Sequence, residues 1–125
     1  MKFANFKLAR KLKEKGYPQE KKNTLAMYNE VGDWYSLAKN LDDFEYSFED
    51  FDEYDYICPT ISQALKWLRE EKNIHIEIRL FICGYGFDIL EIYPKNKIAW
   101  SGSLEYETFE QASVAGIEYV LDNLI

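Results

Sequence analysis

Residues 74–82, IHIEIRLFI, place an apolar side chain at every second position: Ile74, Ile76, Ile78, Leu80 and Ile82. His75, Glu77 and Arg79 fall between them. A period of two is a strand signal, and here it predicts one buried face and one wet face. Such a strand needs a cover, and the residues before it supply one. PTISQALKWLREEKN, residues 59–73, carries Ile61, Ala64, Leu65 and Leu68 at helical spacing, with Trp67 broadening the stripe. Thr60 and Gln63 have the spacing of a capping box, and Pro59 sits where a helix interior is excluded. A helix over 61–72 follows, and Asn73 tolerates the left-handed conformation that releases the chain into the strand.

The remaining elements read outward from this pair. CGYG, residues 83–86, is expected to be a tight turn, and FDILEIY, 87–93, an antiparallel partner whose imperfect alternation allows a bulge. PKNK turns again, and IAWSG, 98–102, completes a meander. Thr108 and Gln111 repeat the capping spacing ahead of a helix over 109–124. That helix is apolar nearly all round, and Gly116 suits a close approach to a sheet. Near the start, Phe3, Phe6, Ala9 and Leu12 predict a short amphipathic helix over 3–15, stopped by Gly16, Tyr17 and Pro18. Residues 24–39 read as two short strands around a turn at Asn29–Asp33, with Gly32 free to take positive φ. The expected architecture is a single α+β domain over 1–125. Two main helices, 61–72 and 109–124, lie on one antiparallel sheet of about three to five strands, with the short N-terminal helix beside it.

Charge divides the chain unevenly. Of 15 Lys and Arg, eight lie in the first 22 residues with two Glu; the rest of the chain holds seven bases against twenty acids, for a net charge of −7. So acidic a balance argues against direct nucleic-acid binding, whose affinity comes from Lys and Arg displacing counterions. No apolar run approaches the ~20 residues of a membrane-spanning helix, and the N-terminus lacks the apolar core of a signal peptide. With two cysteines, Cys58 and Cys83, read as free thiols, the expected location is the cytoplasm.

Candidate chemistry is sparse. Residues 42–56, DDFEYSFEDFDEYDY, interleave six aromatics with eight acids and no base. Asp50, Asp52 and Asp55 resemble an oxygen-ligand series. Counted from Asp50, however, the sixth position is Asp55 and the twelfth Ile61, where a calcium-binding EF-hand loop needs Gly and Glu. His75 stands alone, the two cysteines lack zinc-type spacing, and no nucleophile elbow is present. GYG (84–86) lacks the glycines and the following helix of a phosphate loop. Trp34, Trp67 and Trp100 read as core rather than as a stacking platform. No residue is therefore assigned a catalytic, metal-binding or cofactor-binding role, and no cofactor is expected. If there is a partner-binding surface, it is expected at Phe44, Tyr46, Phe48, Asp50, Phe51, Asp52 and Glu53, with a protein as partner; a homodimer is a further option.

LARKLKEKGYP, CPTISQALKWLREEKNIHI and YETFEQASVAGIEYVLDNLI together resemble a family of small uncharacterised proteins of gut Bacteroidetes and of related phages and mobile elements. The shared frame is "LAxxLKExGF", "xPTxxQAxxWLRE" and "YExAxxAxIxxxLxxL", over roughly half the chain. Tyr17 replaces the usual Phe, and Phe109 stands where Glu is commoner. The resemblance implies a small intracellular accessory protein and brings no activity with it. Two alternatives stand beside this reading: an acidic DNA-mimic inhibitor of a DNA-binding or defence protein, and an enzyme with a cryptic site near His75 or Cys58.

Overall fold

The computed structural model describes residues 2–20, 24–36, 54–92, 97–101 (backbone) and 106–125. Among these residues, three helices and two antiparallel sheets form an α+β fold that divides into two compact units, with the boundary at Thr60 and Ile61.

In the first unit, α1 spans Phe6–Glu14, shorter than the expected 3–15 because Asn5 caps it, its side chain accepting from Leu8 N at 2.8 Å. Phe3 instead bridges Thr60 as extended chain, and Ala4 N donates to Pro59 O at 2.9 Å. At the other end Gly16 has φ 95°, Tyr17 N donates to Leu12 O and Gly16 N to Lys13 O. That pair of bonds is a Schellman motif, which satisfies the last carbonyls of the helix. Leu8, Ala9 and Leu12 form the buried face. Strands β1 (Ala26–Tyr28), β2 (Trp34–Ser36) and β3 (Tyr56–Ile57) form one sheet in the order β2-β1-β3. The β1–β2 turn is closed by Asn29, whose Oδ1 accepts from Val31 N and Asp33 N at 3.1 and 2.8 Å, while Gly32 takes φ 94°.

In the second unit, α2 (Ile61–Glu71) leads through Asn73, at φ 57°, into β4 (Ile74–Phe81). β4 pairs with β5 (Gly84–Glu91), and β5 with β6 (Lys97–Ser101). The sequence pattern predicts one sheet for all the strands; the structure makes two, because β1 takes β3 as its second neighbour rather than joining the meander. The turn also moves: Ile82 and Cys83 form it, and Gly84 and Gly86 belong to β5. Gly84 is required for another reason, since a Cβ there would stand 2.5 Å from the carbonyl oxygen of Tyr106. The anticipated bulge is present, displaced to the β5–β6 pairing, where Ile89 faces Trp100 and Leu90 faces Ile98.

α3 (Phe109–Asn123) packs on β5, β4 and α2 through Ala112, Ser113, Gly116, Ile117, Val120 and Leu121. Thr108 caps it by accepting from Gln111 N at 3.0 Å, and the Gln111 side chain accepts from Glu107 N. On α2 the buried stripe is Ile61, Ala64, Trp67 and Leu68; Leu65 is half-buried, so Trp67 takes the place expected for it.

The largest departure lies on β4. Ile74 and Ile76 are buried and Ile78 is half-buried, but Leu80 is 74% exposed and Ile82 is fully exposed. The reason is length. Eleven helical residues make α2 about 16 Å long, whereas eight extended residues make β4 about 26 Å. The helix turns directly into the strand at Asn73, so it covers the first part of β4 and stops short of the hairpin end.

Close approach of α3 to the sheet is a second tight constraint in this unit. A Cβ at Gly116 would stand 2.8 Å from Ile76 Cγ2 and 3.3 Å from the Phe87 ring, atoms that are themselves packed. Gly116→Val is expected to lower stability by roughly 2 kcal/mol despite its better helix propensity, and the loss is read as a lower denaturant midpoint at unchanged slope.

Candidate interaction surface and ionisable groups

Phe44, Tyr46, Phe48, Asp50, Phe51, Asp52 and Glu53, the residues expected to contact a partner, lie outside the described residues. The C-terminal end of their segment is described. Tyr54 is 60% exposed, Asp55 is 5% exposed, and Tyr56 enters β3. Lys13 of α1 reaches this point: its Nζ donates to the Asp55 carbonyl oxygen at 2.8 Å and lies 4.9 Å from the centre of the Tyr56 ring. The Phe6 ring meets Tyr56 edge-on at 5.5 Å. One residue of the basic helix is thus committed to holding the base of the acidic segment, through a carbonyl dipole and a ring face.

Beside this anchor lies a buried polar cluster. Tyr28 Oη donates to Ala4 O at 2.8 Å, and Cys58 Sγ donates to the same oxygen at 3.2 Å. Burial is the main cause that pushes the Cys58 thiol up to about 11, with the neighbouring Trp34 and Tyr28 side chains and the Ala4 backbone pulling the other way. Burial likewise pushes the Tyr28 phenol up to about 12, with Cys58 adding to the shift. A thiol held protonated is a poor nucleophile, because reactivity follows the thiolate. The cluster fastens β1 and the segment before α2 to the chain ahead of α1; sequence spacing shows none of this, since Ala4, Tyr28 and Cys58 are distant in the chain.

His75, expected on the wet face of β4, is partly exposed there, and its Nε2 lies 3.1 Å from Glu77 Oε2. Arg79 Nη1 donates to Asp88 Oδ2 at 2.8 Å. Glu77 and Asp88 are direct cross-strand neighbours. Like charges so placed repel, and His75 and Arg79 provide the opposing contacts. This is an ion-paired sheet face. Among the described residues, no group of three or more His, Cys, Asp or Glu could hold a metal ion, and no helix is long and apolar enough to cross a membrane.

Cys58 and Cys83 are both free thiols, the first buried and the second exposed. In native protein an aromatic disulfide reagent is expected to modify Cys83 quickly and Cys58 only on unfolding, so Cys83→Ser removes the fast phase. Both buried acids hold their protons more tightly folded than unfolded, from ordinary values of 9.0 and 10.0. Their stabilising contribution is therefore complete below about pH 9 and is lost as pH rises through the folded values. Thermal melts from pH 8 upward should show that decline, and Cys58→Ala should flatten its lower part.

No family model, curated protein or solved structure matches the chain.

Proposed function

We propose that the protein is a non-enzymatic accessory protein, of phage or mobile-element type, that binds a protein partner through the acidic-aromatic segment 42–56. The observation that carries this reading is the composition of that segment: six aromatics among eight carboxylates with no base. Aromatic side chains supply large contact area at low entropic cost, and surrounding carboxylates steer and orient a basic partner. Tyr54, an exposed aromatic in the described part of the segment, is the kind of anchor such a surface uses. Asp55 and Tyr56, held by Lys13 and Phe6, give that surface a fixed base. Asp42, Asp43, Glu45 and Glu49 add to the negative charge of the same segment of sequence.

The test is affinity capture with the wild-type chain and with an Asp50→Lys, Asp52→Lys, Glu53→Lys triple variant, followed by titration of the purified partner. The variant is expected to bind at least about tenfold more weakly while keeping the wild-type circular dichroism spectrum. Equal affinity for the two proteins would sink this reading.

A further inference from the structure

β4 is an end strand of its sheet, since the order among the described residues is β4-β5-β6. Which of its residues present backbone groups to the open side follows from two sets of bonds. Ile92 N donates to Asn73 O at 2.8 Å, one step beyond the Ile74↔Glu91 pair, so Asn73 and the alternate residues after it turn their N–H and C=O toward β5. On the far side of β5, Tyr85 exchanges bonds with Tyr106 at 2.7 and 2.6 Å, which sets the same alternation. Ile74, Ile76, Ile78 and Leu80 therefore direct their backbone groups outward.

From this edge we infer that the protein forms a two-fold symmetric dimer in which β4 pairs antiparallel with β4 of a second copy, centred on Ile78. Three features select that occupant and that register. Centring on Ile78 places outward-directed residues opposite one another, Ile78 with its own equivalent and Ile76 with Leu80, as hydrogen-bonded pairs. The same register sets Glu77 opposite Arg79 of the second copy, and Arg79 opposite its Glu77, as closely spaced non-hydrogen-bonded pairs. Both side chains are half-exposed and available to an incoming strand. Shifting the centre to Glu77 or Arg79 would instead put Glu77 against Glu77 or Arg79 against Arg79, so charge rejects the neighbouring registers.

The apolar face agrees with the charged one. Leu80, left uncovered beyond the end of α2, comes beside Ile76 of the second copy, on the face that its helices cover. The contact uses one patch twice, so it closes at two copies and extends the three-stranded sheet across the symmetry axis. This inference is independent of the role proposed for segment 42–56.

The test is the assembly state of the full chain, measured by sedimentation across a concentration series. The wild type is expected to be a concentration-dependent dimer. Glu77→Arg is the decisive single variant. Within the chain it places a cation opposite Asp88 and so relieves the Glu77–Asp88 repulsion, but across the dimer it sets Arg against Arg79. It is expected to stay folded, by circular dichroism and melting temperature, and to weaken dimerisation by about tenfold or more. Adding Arg79→Glu restores opposite charges across the axis and leaves a cation facing Asp88, so the double variant is expected to dimerise again. A wild type that is monomeric throughout, or that grows into larger assemblies, overturns the inference. So does a dimer indifferent to Glu77→Arg, or a folded double variant that stays monomeric.

Discussion

Contact between α3 and the sheet depends on the absence of a side chain at Gly116. With Ala112 and Ser113 one turn earlier, it gives α3 a flat small-residue face where Ile76 Cγ2 and the Phe87 ring approach more closely than a Cβ would permit. The adjoining large residues, Ile117, Val120 and Leu121, are then fully buried. Ser113 fits the same face because its hydroxyl donates to Phe109 O at 2.8 Å, so no polar atom is stranded against the sheet. Interiors pack at nearly crystalline density, and a helix held even a little farther out would lose dispersion contacts along its whole buried face.

Local chemistry was the part of this fold most legible in the sequence. Asn73, Gly16 and Gly32 adopt the left-handed conformations their types suggested, and Thr108 caps α3. Caps and turns are decided within a few residues, so a few residues reveal them. Two features were hidden for the opposite reason. The division of strands into two sheets rests on β1 pairing with β3 across a long intervening segment, and strands of two or three residues carry almost no periodicity. The exposure of Leu80 depends on the length of α2 relative to β4; alternation identifies a face without saying how far its cover reaches. The candidate surface at 42–56 was legible only as composition, and of its geometry the structure adds the anchored end at Tyr54, Asp55 and Tyr56.

The glycines after β4 show a related ambiguity. Cys83–Gly86 looks like a turn because glycine is the commonest turn residue, yet the chain reverses at Ile82 and Cys83. Gly84 serves the backbone of Tyr106, which runs close enough to exchange two hydrogen bonds with Tyr85. A glycine marks either a special dihedral angle or a close neighbour, and sequence alone does not separate the two. Placing the turn earlier ends β4 at Phe81 and gives Gly84 and Gly86 to β5, and β4 is still long enough to outrun α2.

The charged face of β4 connects stability within the chain to pairing beyond it. Asp88 is buried and stands opposite Glu77; on the same strand face Arg79 supplies a cation to Asp88, and the His75 ring lies beside Glu77. This internal arrangement alone places an anion and a cation two residues apart on an edge strand. Any edge strand with that pattern is complementary to itself when reversed about the residue between them. The same arrangement that settles repulsion inside the sheet therefore writes a symmetric charge code on its open edge. Strand edges are ordinarily blunted by inward-pointing charge, a proline or a bulge. β4 has an apolar end and a balanced pair, and the bulge seen among the described residues of its sheet lies at the β5–β6 pairing instead. An edge with that combination is complementary to its own copy.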